Sequence, residues 1–161
     1  MLQTIPIEKV LFLDIETVPR VGNWQHLDEP TQNLWDKKTR LQRKDDFTAE
    51  EFYKERGGIM AEFGKIICIS VGIIEKSEKI IIKSFYGDDE KQLLEEFGEI
   101  FNRPKLRDVI LCAHNGKEFD FPWIARRFLI NGMHPPKPFQ LFGKKPWEIQ
   151  HLDTMELWKF G

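Results

Sequence analysis

Four apolar residues, Val10-Leu11-Phe12-Leu13, run directly into Asp14-Ile15-Glu16. Residues 9–15 read as a short strand buried in the middle of a sheet, with a polar C-terminal end. In an extended segment, residues two apart point to the same side, so both carboxylates share one face. Two carboxylates crowded at a buried strand end repel each other and lose solvation, and a cation relieves both costs. Their hard oxygens suit Mg2+ or Mn2+. The plainer reading is a pair of exposed acids at a strand end. The apolar approach favours a buried site over an open surface.

Further along, residues 64–75 and 78–86 are rich in β-branched side chains, and only Lys76 and Ser77 separate them. That pattern predicts an antiparallel hairpin. Residues 88–102 have a helical apolar face (Leu93, Leu94, Phe97, Ile100, Phe101), with Asp88 or Asp89 placed to cap it. Residues 108–113 form another buried strand. Residues 120–131 read as a helix with Pro122 in its first turn and Asn131-Gly132 at its end. A Pro-rich loop over 134–146 precedes a last strand at 148–153, and Thr154 opens a further helix. The order predicts a mixed α/β sheet flanked by helices. With 161 residues, the chain fits a single domain carrying a long polar excursion over about 20–60, helical or mobile. Within the excursion, Thr48 and Glu51 have the spacing of a capping box.

Composition constrains partners only loosely. The formal net charge is -2, so any nucleic-acid contact must come from local patches. Lys37, Lys38, Arg40, Arg43 and Lys44 make one such patch; Arg126-Arg127 and Lys144-Lys145 make smaller ones. Each reads equally well as a solvated helix face. Trp24 and Trp35 suit either base stacking or, more commonly, core packing. Cys68 and Cys112 lie in apolar strands and read as buried thiols of a reducing compartment. No apolar run approaches the ~20 residues of a membrane span, and no leader pattern is visible. These features predict a cytoplasmic protein with no membrane partner.

A second constellation, His114-Asn115-Gly116-Lys117-Glu118-Phe119-Asp120, follows an apolar strand and opens a helix. Asn115-Gly116 suits a turn, and Asp120 suits the helix N-terminus as a cap. His114 reads as a core or turn histidine rather than a metal ligand.

Together these segments resemble the DEDD superfamily of 3′→5′ exonucleases, which have an RNase H-like fold. Leu13-Asp14-Ile15-Glu16-Thr17 is similar to its first motif. Asn115 and Asp120, with Phe119 before the acid, are similar to its second. The nearest pattern is that of the exonuclease domain of family-B DNA polymerases and stand-alone bacterial relatives. His151-Leu152-Asp153-Thr154 is similar to the segment that opens the next helix. The resemblance implies an antiparallel first half of the sheet followed by parallel strands. It implies hydrolysis at a DNA 3′ end, single-stranded, with two Mg2+ or Mn2+ ions about 3.5–4 Å apart. Asp14, Glu16 and Asp120 would be the catalytic metal ligands. Thr17 and Asn115 would seat the terminal nucleotide beside Phe119, whose ring suits packing under the helix better than stacking on a base.

The family's third motif, a fourth carboxylate preceded by Tyr or His, has no counterpart here. The two tyrosines, Tyr53 and Tyr86, lie far upstream. Asp153 reads as a helix cap rather than the fourth ligand. The resemblance therefore implies a domain cut short at its C-terminus and a weak or inactive nuclease as it stands. The alternative is a non-catalytic nucleic-acid-binding or scaffold module on the same fold. A glycosidase using Asp14 and Glu16 has no independent support, since the two acids are too local to bracket a sugar.

Overall fold

The computed structural model describes residues 5–44 and 46–160. Five strands form one mixed sheet: β1 (Val10–Pro19), β2 (Gly64–Ile74), β3 (Ile80–Tyr86), β4 (Ile110–Ala113) and β5 (Leu152–Asp153). Their order across the sheet is β3-β2-β1-β4-β5. The hairpin expected from Lys76-Ser77 is present, with β2 and β3 antiparallel from Cys68↔Tyr86 to Ile74↔Ile80. β4 runs parallel to β1 (Val10↔Ile110) and to β5 (Cys112↔Leu152). The helices are α1 (Glu29–Arg43), α2 (Ala49–Arg56), α3 (Glu90–Glu99), α4 (Asp120–Ile130) and α5 (Thr154–Lys159). Among the described residues no helix is long and apolar enough to cross a membrane.

The mixed sheet and its flanking helices are those the sequence predicts, but two boundaries move. β1 continues to Pro19, so Asp14 and Glu16 lie within the strand rather than at its end. The last strand was expected over 148–153, yet only Leu152 and Asp153 pair with β4. His151 accounts for this. Its Nδ1 accepts the Leu111 N–H at 3.1 Å and its Nε2 donates to the Pro138 carbonyl at 2.7 Å. A ring therefore takes the β4 donor that a longer ladder would use.

The chain packs as two compact units. One comprises residues up to Glu16 and from Ile67 onward; the other comprises Thr17–Ile66. In the first, Phe97 of α3 is the hub of an aromatic core. Its ring meets Phe85 at 5.7 Å, Phe101 at 5.3 Å and Phe139 at 5.8 Å, mostly edge to face. Asp89 caps α3 by accepting the Gln92 N–H. A buried fork, Arg127 of α4 on Glu90 of α3, ties these two helices, and Asn131 adds a hydrogen bond to the same carboxylate. Arg127 thus belongs to the core and leaves the basic group proposed from Arg126-Arg127.

The second unit holds the excursion, which is largely helical. Trp35 is fully buried, edge-on to Tyr53 and Phe63, with its indole N–H on the Ala49 carbonyl at 2.9 Å. Leu27 and Phe52 complete this small core, and Trp24 leans on Tyr53. Both tryptophans pack as core residues do. The capping box is realised, with Thr48 and Glu51 bonded reciprocally. Arg43 is buried and bonded to Asp36 and Thr39, and Lys38 pairs with Glu62. The basic cluster read from residues 37–44 is smaller than its sequence suggests, because two of its cations have acidic partners.

Candidate active site

Strand alternation sets the first half of the site. Leu13 and Ile15 are buried, whereas Asp14 and Glu16 are exposed on the opposite face. Asp14 borders an open hollow of about 360 Å³ floored by Phe12, Ser70, Gly72, Ile80 and Ile82. The carboxylate therefore stands beside apolar surface rather than among solvated charges.

The β4–α4 junction supplies the second half. Asp120 is the first residue of α4, not its cap; Phe119 occupies the cap position and makes no side-chain cap bond. Asp120 is only 3% exposed. Its carboxyl is pushed up to about 6, chiefly by burial and further by the negative charges of Asp14 and Asp153. Hydrogen bonds from its own N–H and from the Ile15 N–H oppose the rise without cancelling it. The structure thus brings Asp120 against β1 at Ile15 and within electrostatic reach of Asp14.

Asp153, beginning α5, is equally buried at 2% but has the opposite balance. Burial raises its carboxyl, and four backbone N–H groups, from Lys117, Asn115, Met155 and Glu156, outweigh that and hold it below the usual aspartate value. Two of them cap α5. The other two, Asn115 at 2.9 Å and Lys117 at 3.1 Å, belong to the β4–α4 loop. Asn115 has φ of 61°, a left-handed conformation that turns the loop. Gly116 follows, so tightly packed that a Cβ there would lie 2.5 Å from the Ala113 Cβ. Lys117 adds an ion pair to Glu156, and His114 Nδ1 lies 3.0 Å from the Thr154 hydroxyl. The capping expected of Asp153 is present. Its grip on the loop that leads to Asp120 had no sequence signal. Of the core and turn places open to His114, the structure shows the turn: it is exposed just after β4.

The remaining candidates fall as follows. Thr17 donates its hydroxyl to the Gly58 carbonyl at 2.7 Å. Phe119 is half-buried and tilts against Trp123 at 6.2 Å. Asn115 is half-buried at the turn. Cys112 is buried and Cys68 half-buried, and both are free thiols.

The donor set fits a hard divalent cation: carboxylate oxygens only, one of them buried beside a like charge. Asp14 and Asp120 are the pair that feel each other. Among the described residues, no three acidic, His or Cys side chains already stand close enough to share one ion. Glu16 shares Asp14's face but is not gathered with the other two.

A search of curated proteins gives no match. The fold resembles E. coli Exonuclease I in complex with a dT13 oligonucleotide (12% identity, TM-score 0.52), covering 94% of this chain and 29% of that one. The zinc-bound form of the E. coli Exonuclease I–single-stranded DNA complex compares similarly, at 11% identity, TM-score 0.53 and the same coverage of 94% and 29%. The family B DNA polymerase of Pyrobaculum calidifontis shares 14% identity over 77% of this chain and 11% of its own, at a TM-score of 0.42 too low to carry an argument. This chain spans under a third of the length of Exonuclease I. At such identities the likeness establishes a shared fold. The family model of the RNase H superfamily matches residues 52–159, well over half of the sequence, and agrees with the five-stranded mixed sheet. The chain belongs to the RNase H superfamily.

Proposed function

We propose that this domain carries the metal-binding half of a 3′→5′ exonuclease that acts on single-stranded DNA. The observation that carries the reading is Asp120: a buried carboxyl, short of donors, held beside the exposed Asp14 on a strand that also presents Glu16. A protein keeps such an under-compensated acid where a cation or a proton has a task. The Exonuclease I fold neighbours, solved with single-stranded oligonucleotides, favour phosphodiester chemistry over other uses of paired acids.

Mg2+ or Mn2+, when bound, would polarise the scissile phosphate and make water a nucleophile at neutral pH. Asp14 would be a ligand of the ions at such a site. Glu16 would hold the nucleophile-side ion and Asp120 the other. Asp120 must shed its proton for this, and a neighbouring cation would lower its raised carboxyl. Asp153 touches no reacting atom; it fixes the turn that aims Asp120. Asn115 and Thr17 are proposed to contact the terminal nucleotide, with Phe119 packed beneath. A cytoplasmic location is proposed on the two free thiols alone.

The test uses the full-length product of the gene with a 5′-labelled single-stranded oligonucleotide and Mn2+ or Mg2+. A ladder shortening from the 3′ end is expected, reduced at least a hundredfold by Asp14→Asn. No digestion of DNA or RNA by the wild type sinks the reading. A second reading, a nucleic-acid-binding module without catalysis, draws on the absence of a three-ligand cluster among the described residues. It requires oligonucleotide binding in EDTA and no cleavage with metal.

A further inference from the structure

Besides the carboxylate site, the structure carries a second feature suited to nucleic acid, at the opposite end of the strands. The segment before β5 reads Phe142-Gly143-Lys144-Lys145-Pro146-Trp147, and it exposes Phe142 completely and Trp147 at 77%. Two large aromatics exposed within six residues form a local apolar feature of the kind that marks interaction sites. Gly143, with φ of 74°, makes the turn that separates the two rings, and Glu148 closes the segment by accepting the Lys145 N–H at 2.7 Å. The Lys145 ammonium lies over the Trp147 ring, 5.1 Å from its centre. These contacts order the loop around Trp147, and Phe142 projects from the other side of the Gly143 turn.

Beside it lies a hollow of about 290 Å³ whose lining includes Arg107, Lys137 and Lys144, with Asp108 and Glu148. Lys137 is paired with Asp108, and Glu148 accepts a loop N–H but keeps its charge. Arg107, Lys137 and Lys144 against Asp108 and Glu148 leave the lining with a small positive excess. Cations spaced for phosphates and flat rings turned to solvent are the two elements of single-strand recognition: lysines and arginines follow the backbone, and aromatics stack on bases without reading sequence. A protein partner would meet the rings equally well, but gives no reason for the cations to surround them.

Position supports a separate site. The register Val10↔Ile110 places Asp14 level with His114, whereas Arg107 precedes β4. The two features therefore lie toward opposite ends of β4, Asp14 level with a residue just past it and Arg107 just before it.

We propose that the Phe142–Trp147 loop and the Arg107–Lys144 hollow form a binding site for single-stranded nucleic acid, distinct from the carboxylate site. The choice of ligand rests on the nuclease reading, and the test is arranged so that the two can fail separately. Binding of a fluorescein-labelled oligothymidylate of about 12 nucleotides is measured by anisotropy in EDTA, where cleavage is silent. The double variant Phe142→Ala/Trp147→Ala is expected to bind at least tenfold more weakly, and Trp147→Phe close to wild type, since a ring remains. Lys144→Glu/Lys145→Glu should weaken binding at low salt and flatten its salt dependence. Melting temperatures should not move, because these side chains are exposed. An oligonucleotide carrying 5-iododeoxyuridine should photo-crosslink to Trp147 or Phe142. Equal affinity of wild type and loop variants overturns the proposal while leaving the carboxylate site untouched. Absence of any oligonucleotide binding by the wild type also overturns it. Loss of Mn2+-dependent cleavage with the loop effects intact would instead remove the nuclease reading alone.

Discussion

Two strand-to-helix junctions lie side by side in this fold, and each buries an aspartate at the start of a helix. At the β5–α5 junction, Asp153 collects four backbone N–H groups and its carboxyl sits below the ordinary value. At the β4–α4 junction, Asp120 collects two, faces Asp14, and is raised to about 6. Both residues are hidden from solvent, but the Asp120 carboxyl lies deeper among protein atoms, and burial is the first cause of its rise. The poorer supply of donors and the negative neighbour Asp14 widen the difference. Asp153 is a satisfied structural anion. Asp120 is an under-compensated one, with fewer donors and a like charge beside it. That difference separates an acid that holds the fold from an acid that the fold holds ready.

The comparison can be broken most forcefully at Asp153. Asp153→Ala strands buried N–H groups on two segments at once and should cost about 3 kcal/mol or more in urea unfolding. If the loss is below about 1 kcal/mol, Asp153 is not the anchor described. Its folded carboxyl is lowered, so its contribution is present at neutral pH and lost as pH falls below the unfolded value of about 3.9.

Asp120 should behave in the reverse sense. A raised carboxyl favours folding fully below about pH 4, and that advantage disappears as pH rises through 6. At pH 7 the ionised group is a burden. Asp120→Asn is therefore expected to raise stability at pH 7 by about 2 kcal/mol, and by little at pH 4, as read from thermal melts at both pH values. A fall in stability at pH 7 would mean the carboxylate is compensated after all.

Gly116 sharpens the account of the loop between them. Gly116→Ala drives a Cβ into Ala113 and the Phe121 ring and should cost about 1–3 kcal/mol. Paired with Ala113→Gly, much of that loss should return, because the nearest clash is removed. The smallest effect concerns His151, whose ring is kept neutral by burial and by nearby lysines, while its hydrogen bond to Pro138 pulls the other way. Its folded value is lowered, so the stability it provides is complete above about 6.5 and declines as pH falls below that. Chemical unfolding between pH 7.5 and 5.5 should show a decline of about 1 kcal/mol in the wild type and a flatter profile in His151→Gln.

What the sequence revealed of this arrangement divides along physical lines. Asp14 and Glu16 were legible because strand alternation is local and needs no tertiary knowledge. The fold class was legible for the same reason: period-2 and helical patterns, and the short hairpin link, are written in neighbouring residues. Asp120 stood out by its spacing from Asn115 at a strand-to-helix junction, and the helix start at 120 was legible too; that the residue does not act as the cap was not. The grip of Asp153 on Asn115 and Lys117 was hidden, because its donors come from backbone far away in sequence. Arg127 and Arg43 looked like surface charge until Glu90 and Asp36 appeared beside them. His151 shortened β5 by a side-chain bond that no propensity encodes.

The central claim is that Asp120 is a buried acid awaiting a cation. Carboxyl-carbon NMR of Asp120, titrated with and without Mg2+, tests it most directly. The account requires a midpoint near 6 without the metal, shifting down by a unit or more when Mg2+ is added, with Asp14→Asn lowering the metal-free midpoint as well. A metal-free midpoint near 4, or one near 6 that saturating Mg2+ leaves in place, would contradict it.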